Sequence, residues 1–134
     1  MSVNVGVLGA TGAVGQRLIQ LLDGHDDFDI VALTASAESA GLPYREAAKW
    51  RIDAPIPAGV ADVEVRQTEP DAVPDDVSLL FSSLPSSVGE RVEAGFAEAG
   101  YVVSSNSSNG RLDDDVPLVI PEVNADHLGL IDVQ

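Results

Sequence analysis

VNVGVLGATGAVGQRLIQLL, residues 3–22, decides the fold. It opens with a short apolar run, Val3–Leu8, and turns through Gly9, Gly12 and Gly15. It continues with Val14, Leu18, Leu21 and Leu22, apolar at i, i+4, i+7 and i+8, one face of a helix. Asp23 and Gly24 supply its stop. Strand, glycine turn and helix in that order form the phosphate-gripping unit of a dinucleotide-binding fold. Glycine lets the backbone approach a pyrophosphate with no Cβ in the way, and the free N–H groups of the helix start point at the anion. The spacing is GxxGxxG, not GxGxxG. On glycines alone, a strand-to-helix turn without a ligand would read the same way. The flanking strand and amphipathic helix favour the ligand.

Working outward, FDIVALTA (Phe28–Ala35) reads as a second buried strand and completes a right-handed βαβ unit. The residues after it, Ser36, Glu38 and Ser39, stand where such folds hold the adenosine ribose. An acidic residue there favours a free 2′-hydroxyl, a basic one a 2′-phosphate. Residues 39–76 are broken by Gly41, Pro43, Pro55, Pro57, Gly59, Pro70 and Pro74. Within them, 44–51 (YREAAKWR) reads as a short helix, 61–67 (ADVEVRQ) as a strand, and Trp50 as an anchor of a small core.

VSLLFS, residues 77–82, reads as the next buried strand. A helix follows, with Ser87 and Glu90 as a capping box and a stripe of Val88, Val92, Phe96 and Ala99; Gly100 closes it. YVVS, 101–104, is a further strand and VPLVI, 116–120, a last one, broken by Pro121. Asn124 or Asp126 is expected to cap a short final helix. His25 and His127 have no evident partner and read as structural or exposed. The expected architecture is α/β: a Rossmann-like, doubly wound, mostly parallel sheet with helices on both faces. Ligands of such sheets bind along the carboxyl edge, so Ser82, Ser83, Leu84 and Pro85 join the glycine turn as cofactor-lining candidates.

Composition narrows the function. The 134 residues suit one domain with a real core, and 45% are apolar. No Cys is present, which excludes disulfides, thiolate metal sites and a cysteine nucleophile within this chain. No membrane span or signal peptide is visible, so the expectation is a cytoplasmic protein. The net charge of −15 sets 22 acidic against seven basic residues, of which one, Lys49, is lysine. Nucleic acid is an unsuitable partner for such a surface. At about 1 M salt the Debye length falls to roughly 3 Å and the self-repulsion is screened, a pattern resembling proteins of salt-accumulating organisms. Asp113, Asp114 and Asp115 are consecutive, do not converge on one ion, and read as a solvated turn; no metal site is expected. Arg111, a guanidinium in the polar run SSNSSNGR (104–111), is a candidate to grip an anion, or a partner for those aspartates.

Five segments together resemble aspartate-semialdehyde dehydrogenase in its archaeal and fungal form. They are GVLGATGAVGQR (6–17), the SxxSAG core within 35–44, FSSLPS (81–86), SNSSNGR (105–111) and DVPLVIPEVNADHL (115–128). That family reduces aspartyl phosphate with NADPH in the synthesis of lysine, threonine and methionine. It uses a nucleophilic cysteine and an acid–base histidine. The resemblance implies that residues 1–134 are the cofactor domain alone, without the C-terminal catalytic and dimerisation domain, and inactive by themselves. The parent would be a homo-oligomer and this chain a monomer. The resemblance sets Gly9, Thr11, Gly12, Ala13 and Val14 at the pyrophosphate. It sets Ser36, Glu38 and Ser39 at the 2′ position, and Ser83, Leu84 and Pro85 at the nicotinamide side. Arg111 and Asn106 would hold the phosphate of aspartyl phosphate, or inorganic phosphate in reverse. Glu38 departs from the family's usual Arg, so NADP is the expected cofactor with NAD also usable. N-acetylglutamyl-phosphate reductase is a rival in the same reaction class. A non-catalytic dinucleotide-binding module is another. Short-chain reductases need Tyr-xxx-Lys, which neither Tyr44 (then Ala48) nor Tyr101 (then Ser105) supplies.

Overall fold

The apolar runs at Val3–Leu8 and Phe28–Ala35 become β1 and β2, paired in parallel with Leu8 beside Thr34. The computed structural model describes residues 1–133. Between the two strands lies α1, Ala13–Leu22. After β2 come α2 (Tyr44–Ala47), α3 (Ala58–Ala61), β3 (Arg66–Gln67) and a 3-10 turn at Pro70–Ala72. Then follow β4 (Leu79–Ser82), α4 (Ser86–Glu98), β5 (Val102–Ser105) and α5 (Pro121–Asn124), the last running into a 3-10 stretch, Ala125–Val133. The sheet order is β3-β2-β1-β4-β5, and every strand pair is parallel, not merely most of them. Strand order reverses between β1 and β4, so the crevice at their carboxyl ends is the switch point where such folds bind ligands.

Alternation along the central strands feeds two cores. Val5, Val7 and Leu33 face α1 and the excursion after β2, where Ile19, Leu22, Tyr44, Val60 and Val65 complete one cluster. Leu8, Ala32 and Leu80 face the other way and pack with Val73, Val77 and Phe96 of the α4 side. Helices therefore cover both faces, and the central strands are apolar on both. No described helix is long and apolar enough to cross a membrane.

Several local expectations are corrected. The buried face of α1 is Gly15, Gln16, Ile19 and Leu22, while Val14 and Leu21 are exposed. The helix is phased by the close approach of Gly15 to the glycine turn. The face of α4 is Gly89, Glu93 and Phe96, with Val92 packed beside it and Val88 and Ala99 exposed. The helix starts at Ser86 behind Pro85, with no side-chain cap, so the Ser87–Glu90 box does not form. The helix expected over 44–51 stops at Ala47, because Gln16 captures the backbone at Lys49 and Arg51. The strand expected over 61–67 reduces to Arg66–Gln67. Val63 and Val65 bond instead to the excursion's own backbone: Tyr44 N–H donates to the Val63 carbonyl and Val65 N–H to the Leu42 carbonyl.

Residues 116–120 form no strand. Leu118 N–H donates to His127 Nδ1 and Ile120 N–H to Asn124 Oδ1, so side chains hold the backbone that a ladder would have held. Asn124 thus secures the incoming chain and caps nothing. Pro121 starts α5 as well as ending the extended run. His25 Nδ1 likewise accepts a bond, from Asp27 N–H. Trp50 packs partly buried against the first core, edge-on to Tyr44, with its indole N–H on the Ala54 carbonyl.

Candidate dinucleotide site at the glycine turn

The chain leaves β1 at Gly9, whose φ of 74° lies in the left-handed region that favours glycine. A Cβ built on Gly15 would stand 2.1 Å from the Gly9 carbonyl oxygen, so only glycine lets α1 close on the turn. Gly12 differs. It is the extended residue preceding α1, and a Cβ there would meet only the Gly9 oxygen, at 3.6 Å, an ordinary contact. The packing around Gly12 would therefore admit a Cβ, unlike that around Gly15.

The first intrahelical bond of α1 runs from Gln16 N–H to the Gly12 carbonyl, 2.9 Å. The amides of Ala13, Val14 and Gly15 are thereby left without an intrahelical acceptor. No side chain caps this end, and no acidic residue lies in its first turn. An open helix N-terminus of this kind favours an anion by amide donation and by the helix dipole.

Three side chains brace the turn from different elements. Tyr44, fully buried in α2, donates its hydroxyl to the Ala10 carbonyl at 2.7 Å. Burial pushes its phenol well above the usual range, which keeps it a neutral donor. Gln16 donates its amide to the Thr11 and Lys49 carbonyls, each at 3.0 Å, and accepts from Arg51 N–H at 2.8 Å. Ser83, just past β4, donates its hydroxyl to the carbonyls of Leu8 (2.9 Å) and Gly9 (3.1 Å). Thr11, Gly12, Ala13 and Gln16 line a cleft of about 250 Å³ together with Ala47, Lys49 and Arg51.

The other expected site residues fall around this edge. Ser36, Glu38 and Ser39 follow β2 in a turn in which the Ser36 carbonyl accepts from Ser39 and Ala40 N–H; Ser36 and Glu38 are exposed. Leu84 is half-buried and Pro85 exposed, after Ser83. Asn106 N–H donates to the Ser82 carbonyl, and Arg111 donates Nε to the Ser107 carbonyl (2.9 Å) and Nη2 to the Asn106 carbonyl (3.2 Å). Arg111 and Asn106 are therefore together, and Arg111 is bonded to its own loop instead of to Asp113, Asp114 or Asp115. Glu93 organises that loop from below: it accepts 2.7 Å bonds from Ser82 and Ser105, and Ser105 bonds Ser107. Gln16, Tyr44, Lys49, Arg51 and Glu93 escaped the reading of the sequence. Neither helix singles out Gln16 or Glu93, since Gln16 stands beside Arg17 and Gln20 in α1 and Glu93 beside Glu90, Arg91 and Glu98 in α4.

Residues 4–131 match the family described as semialdehyde dehydrogenase, NAD binding domain. The chain belongs to that family. Its semialdehyde dehydrogenase relatives include aspartate-semialdehyde dehydrogenase of Methanothermobacter thermautotrophicus, 57% identical over 98% of this chain and 38% of the relative. A crystal structure of aspartate-semialdehyde dehydrogenase with NADP from Candida albicans matches with a TM-score of 0.92 at 43% identity, covering 96% of this chain and 36% of that one. A malonyl-CoA reductase (NADP) of Metallosphaera sedula is 41% identical over 99% of this chain and 37% of its own length. The chain thus spans little more than a third of the proteins it resembles. The semialdehyde dehydrogenase family and its NAD-binding fold cover nearly all of it.

Proposed function

We propose that this chain is the cofactor-binding part of an NADP-using aspartate-semialdehyde dehydrogenase. Its expected task is to seat the dinucleotide that serves the reductive dephosphorylation of aspartyl phosphate. The observation that carries the reading is the uncapped start of α1 behind Gly12, where three amides lack acceptors and the fold itself sets no demand for glycine. The match to a structure containing NADP supports it. The residues present suit a dinucleotide. The amides of Ala13 and Val14, with Thr11 and Gly12, would receive the pyrophosphate. Ser36, Glu38 and Ser39 would meet the adenosine ribose, and Leu84 and Pro85 the nicotinamide side. The bound dinucleotide would supply hydride; the chain's own groups bind, orient and exclude water. Arg111 and Asn106 would present donors to the substrate phosphate. The sequence contains no cysteine, so the nucleophile of the family's reaction would come from residues beyond these 134.

Glu38 repels a 2′-phosphate and accepts from a free hydroxyl, so a relaxed preference is expected, with NAD bound as well as NADP. Calorimetric titration with both dinucleotides tests this. Glu38→Arg should raise the NADP/NAD affinity ratio; an unchanged ratio would remove Glu38 as the selector. The 41% identity to a malonyl-CoA reductase favours a second reading, in which the acyl group is a thioester and not an acyl phosphate. The two readings share this cofactor site and differ at the acyl substrate. Neutralising Arg111 should harm turnover of an acyl phosphate far more than turnover of a thioester.

A further inference from the structure

We propose that Lys49 and Arg51 grip a phosphate group of the bound dinucleotide, an inference that rests on the dinucleotide reading above. The starting point is where the few cations go in a chain of net charge −15. Arg17 bonds Gln20, Arg45 pairs with Asp62, Arg66 donates to the Ala72 carbonyl, and Arg111 donates to its own loop. Among the described residues, the side chains of Lys49, Arg51 and Arg91 have no hydrogen-bond or ion-pair partner. Two of those three line the same cleft, beside Thr11, Gly12 and Ala13, and no Asp or Glu lines it with them.

Their placement is built by the fold. After α2 the chain runs extended, with Ala48 at ψ 129°. In extended backbone, residues two apart share a side, so Lys49 and Arg51 fall together while Trp50 turns into the core. Gln16, 1% exposed, staples both residues by their backbones: its amide donates to the Lys49 carbonyl, its oxygen accepts from Arg51 N–H, and the same amide holds Thr11. A buried side chain therefore ties two cations to the very turn whose amides lack acceptors. Two like charges held side by side gain from an anion between them and the helix start, and a phosphate offers enough oxygens to reach both. A dinucleotide has two such groups, the pyrophosphate and, in NADP, the ribose 2′-phosphate. If it is the 2′-phosphate, these cations offset the charge reversal at Glu38.

The test is titration of the chain with NADP and with NAD, at low and high KCl. The variants are the Lys49→Gln/Arg51→Gln double substitution and Arg91→Gln, which removes one equally unpartnered cation from α4. The double variant should weaken binding roughly tenfold at low salt, as expected for two exposed charge-assisted contacts, with the gap narrowing in high KCl. Loss confined to NADP assigns the grip to the 2′-phosphate, and equal loss for both dinucleotides assigns it to the pyrophosphate; either supports the proposal. Arg91→Gln should bind as the unaltered chain does. Undiminished affinity of the double variant for both dinucleotides, or an equal loss in Arg91→Gln, overturns it. If the unaltered, folded chain binds neither dinucleotide, the functional reading itself fails and this inference falls with it. The double variant should remain folded at the titration temperature, since neither side chain makes a hydrogen bond or ion pair to lose.

Discussion

The glycine turn and the segment 106–133 are both loop-rich, and they are held in opposite ways. The turn is closed by packing. Gly15 meets Gly9 at backbone distance, Tyr44 and Gln16 reach in from the core, and Ser83 ties in the neighbouring strand. Tyr44 and Gln16 are fully buried, Tyr44 within the first hydrophobic cluster, and Ser83 is half-buried. The segment 106–133 is held by local bonds from side chain to backbone, made by Arg111, Asn124 and His127. Among the described residues, its apolar side chains contribute to neither core. Leu112 is 95% exposed and Val123 76%, with Ile120 and Ile131 also exposed. A turn braced from three elements presents fixed amides, whereas a segment tied to the sheet side at its start, through Asn106 to Ser82 and Ser108 to Ser86, and beyond that by local bonds, opens at smaller free-energy cost.

This contrast predicts a graded series of effects. The largest should be Gly15→Val, which drives a Cβ against the Gly9 carbonyl. A cost above about 4 kcal/mol is expected, enough to abolish a cooperative denaturant transition in a domain of ordinary stability. Next is Phe96→Ala, which empties the centre of the α4-side core and should lower unfolding free energy by about 3–5 kcal/mol in the same measurement. Tyr44→Phe should cost about 1 kcal/mol at neutral pH through loss of the bond to Ala10. Its pH dependence has a definite sign. The folded phenol titrates higher than the unfolded one, so the stabilisation is complete below about pH 10 and declines above it, as the unfolded chain ionises first. Urea midpoints of the two proteins should therefore converge on going from pH 9 to pH 11. The smallest effect should be Leu112→Ser, within about 0.5 kcal/mol, because that side chain already lies in water. A large loss there would show that 106–133 is packed after all and would erase the contrast.

The same contrast explains what could be read from the sequence. β1 and β2 are predominantly apolar runs, and their limits, Val3–Leu8 and Phe28–Ala35, match the observed strands. The doubly wound parallel order follows from alternating strands and helices. Helix phase was harder, because it depends on a contact distant in sequence. Gly15 touching Gly9 rotates α1, which buries Gln16 and exposes Val14 and Leu21. Residues 116–120 look like a strand by composition but have no strand beside them, and composition cannot supply a neighbour. In the candidate site the glycine turn and its amides were legible, whereas the struts were not. Tyr44, Lys49 and Arg51 arrive from an excursion with no periodic pattern; Tyr44 reaches the turn through Ala10, and Lys49 and Arg51 through Gln16.

The most direct test of the central claim uses Gly12, the one glycine of the turn that the fold tolerates losing. The unaltered chain and Gly12→Val are titrated calorimetrically with NADP and NAD at about 2 M KCl, where surface repulsion is screened. Their unfolding midpoints are compared in the same buffer. The account predicts binding by the unaltered chain, loss of that binding in Gly12→Val, and a Gly12→Val midpoint lowered by no more than the loss of a favoured N-cap residue, with the variant still folded at the titration temperature. Undiminished binding by a folded Gly12→Val would contradict it, because the dinucleotide would then sit somewhere other than the start of α1.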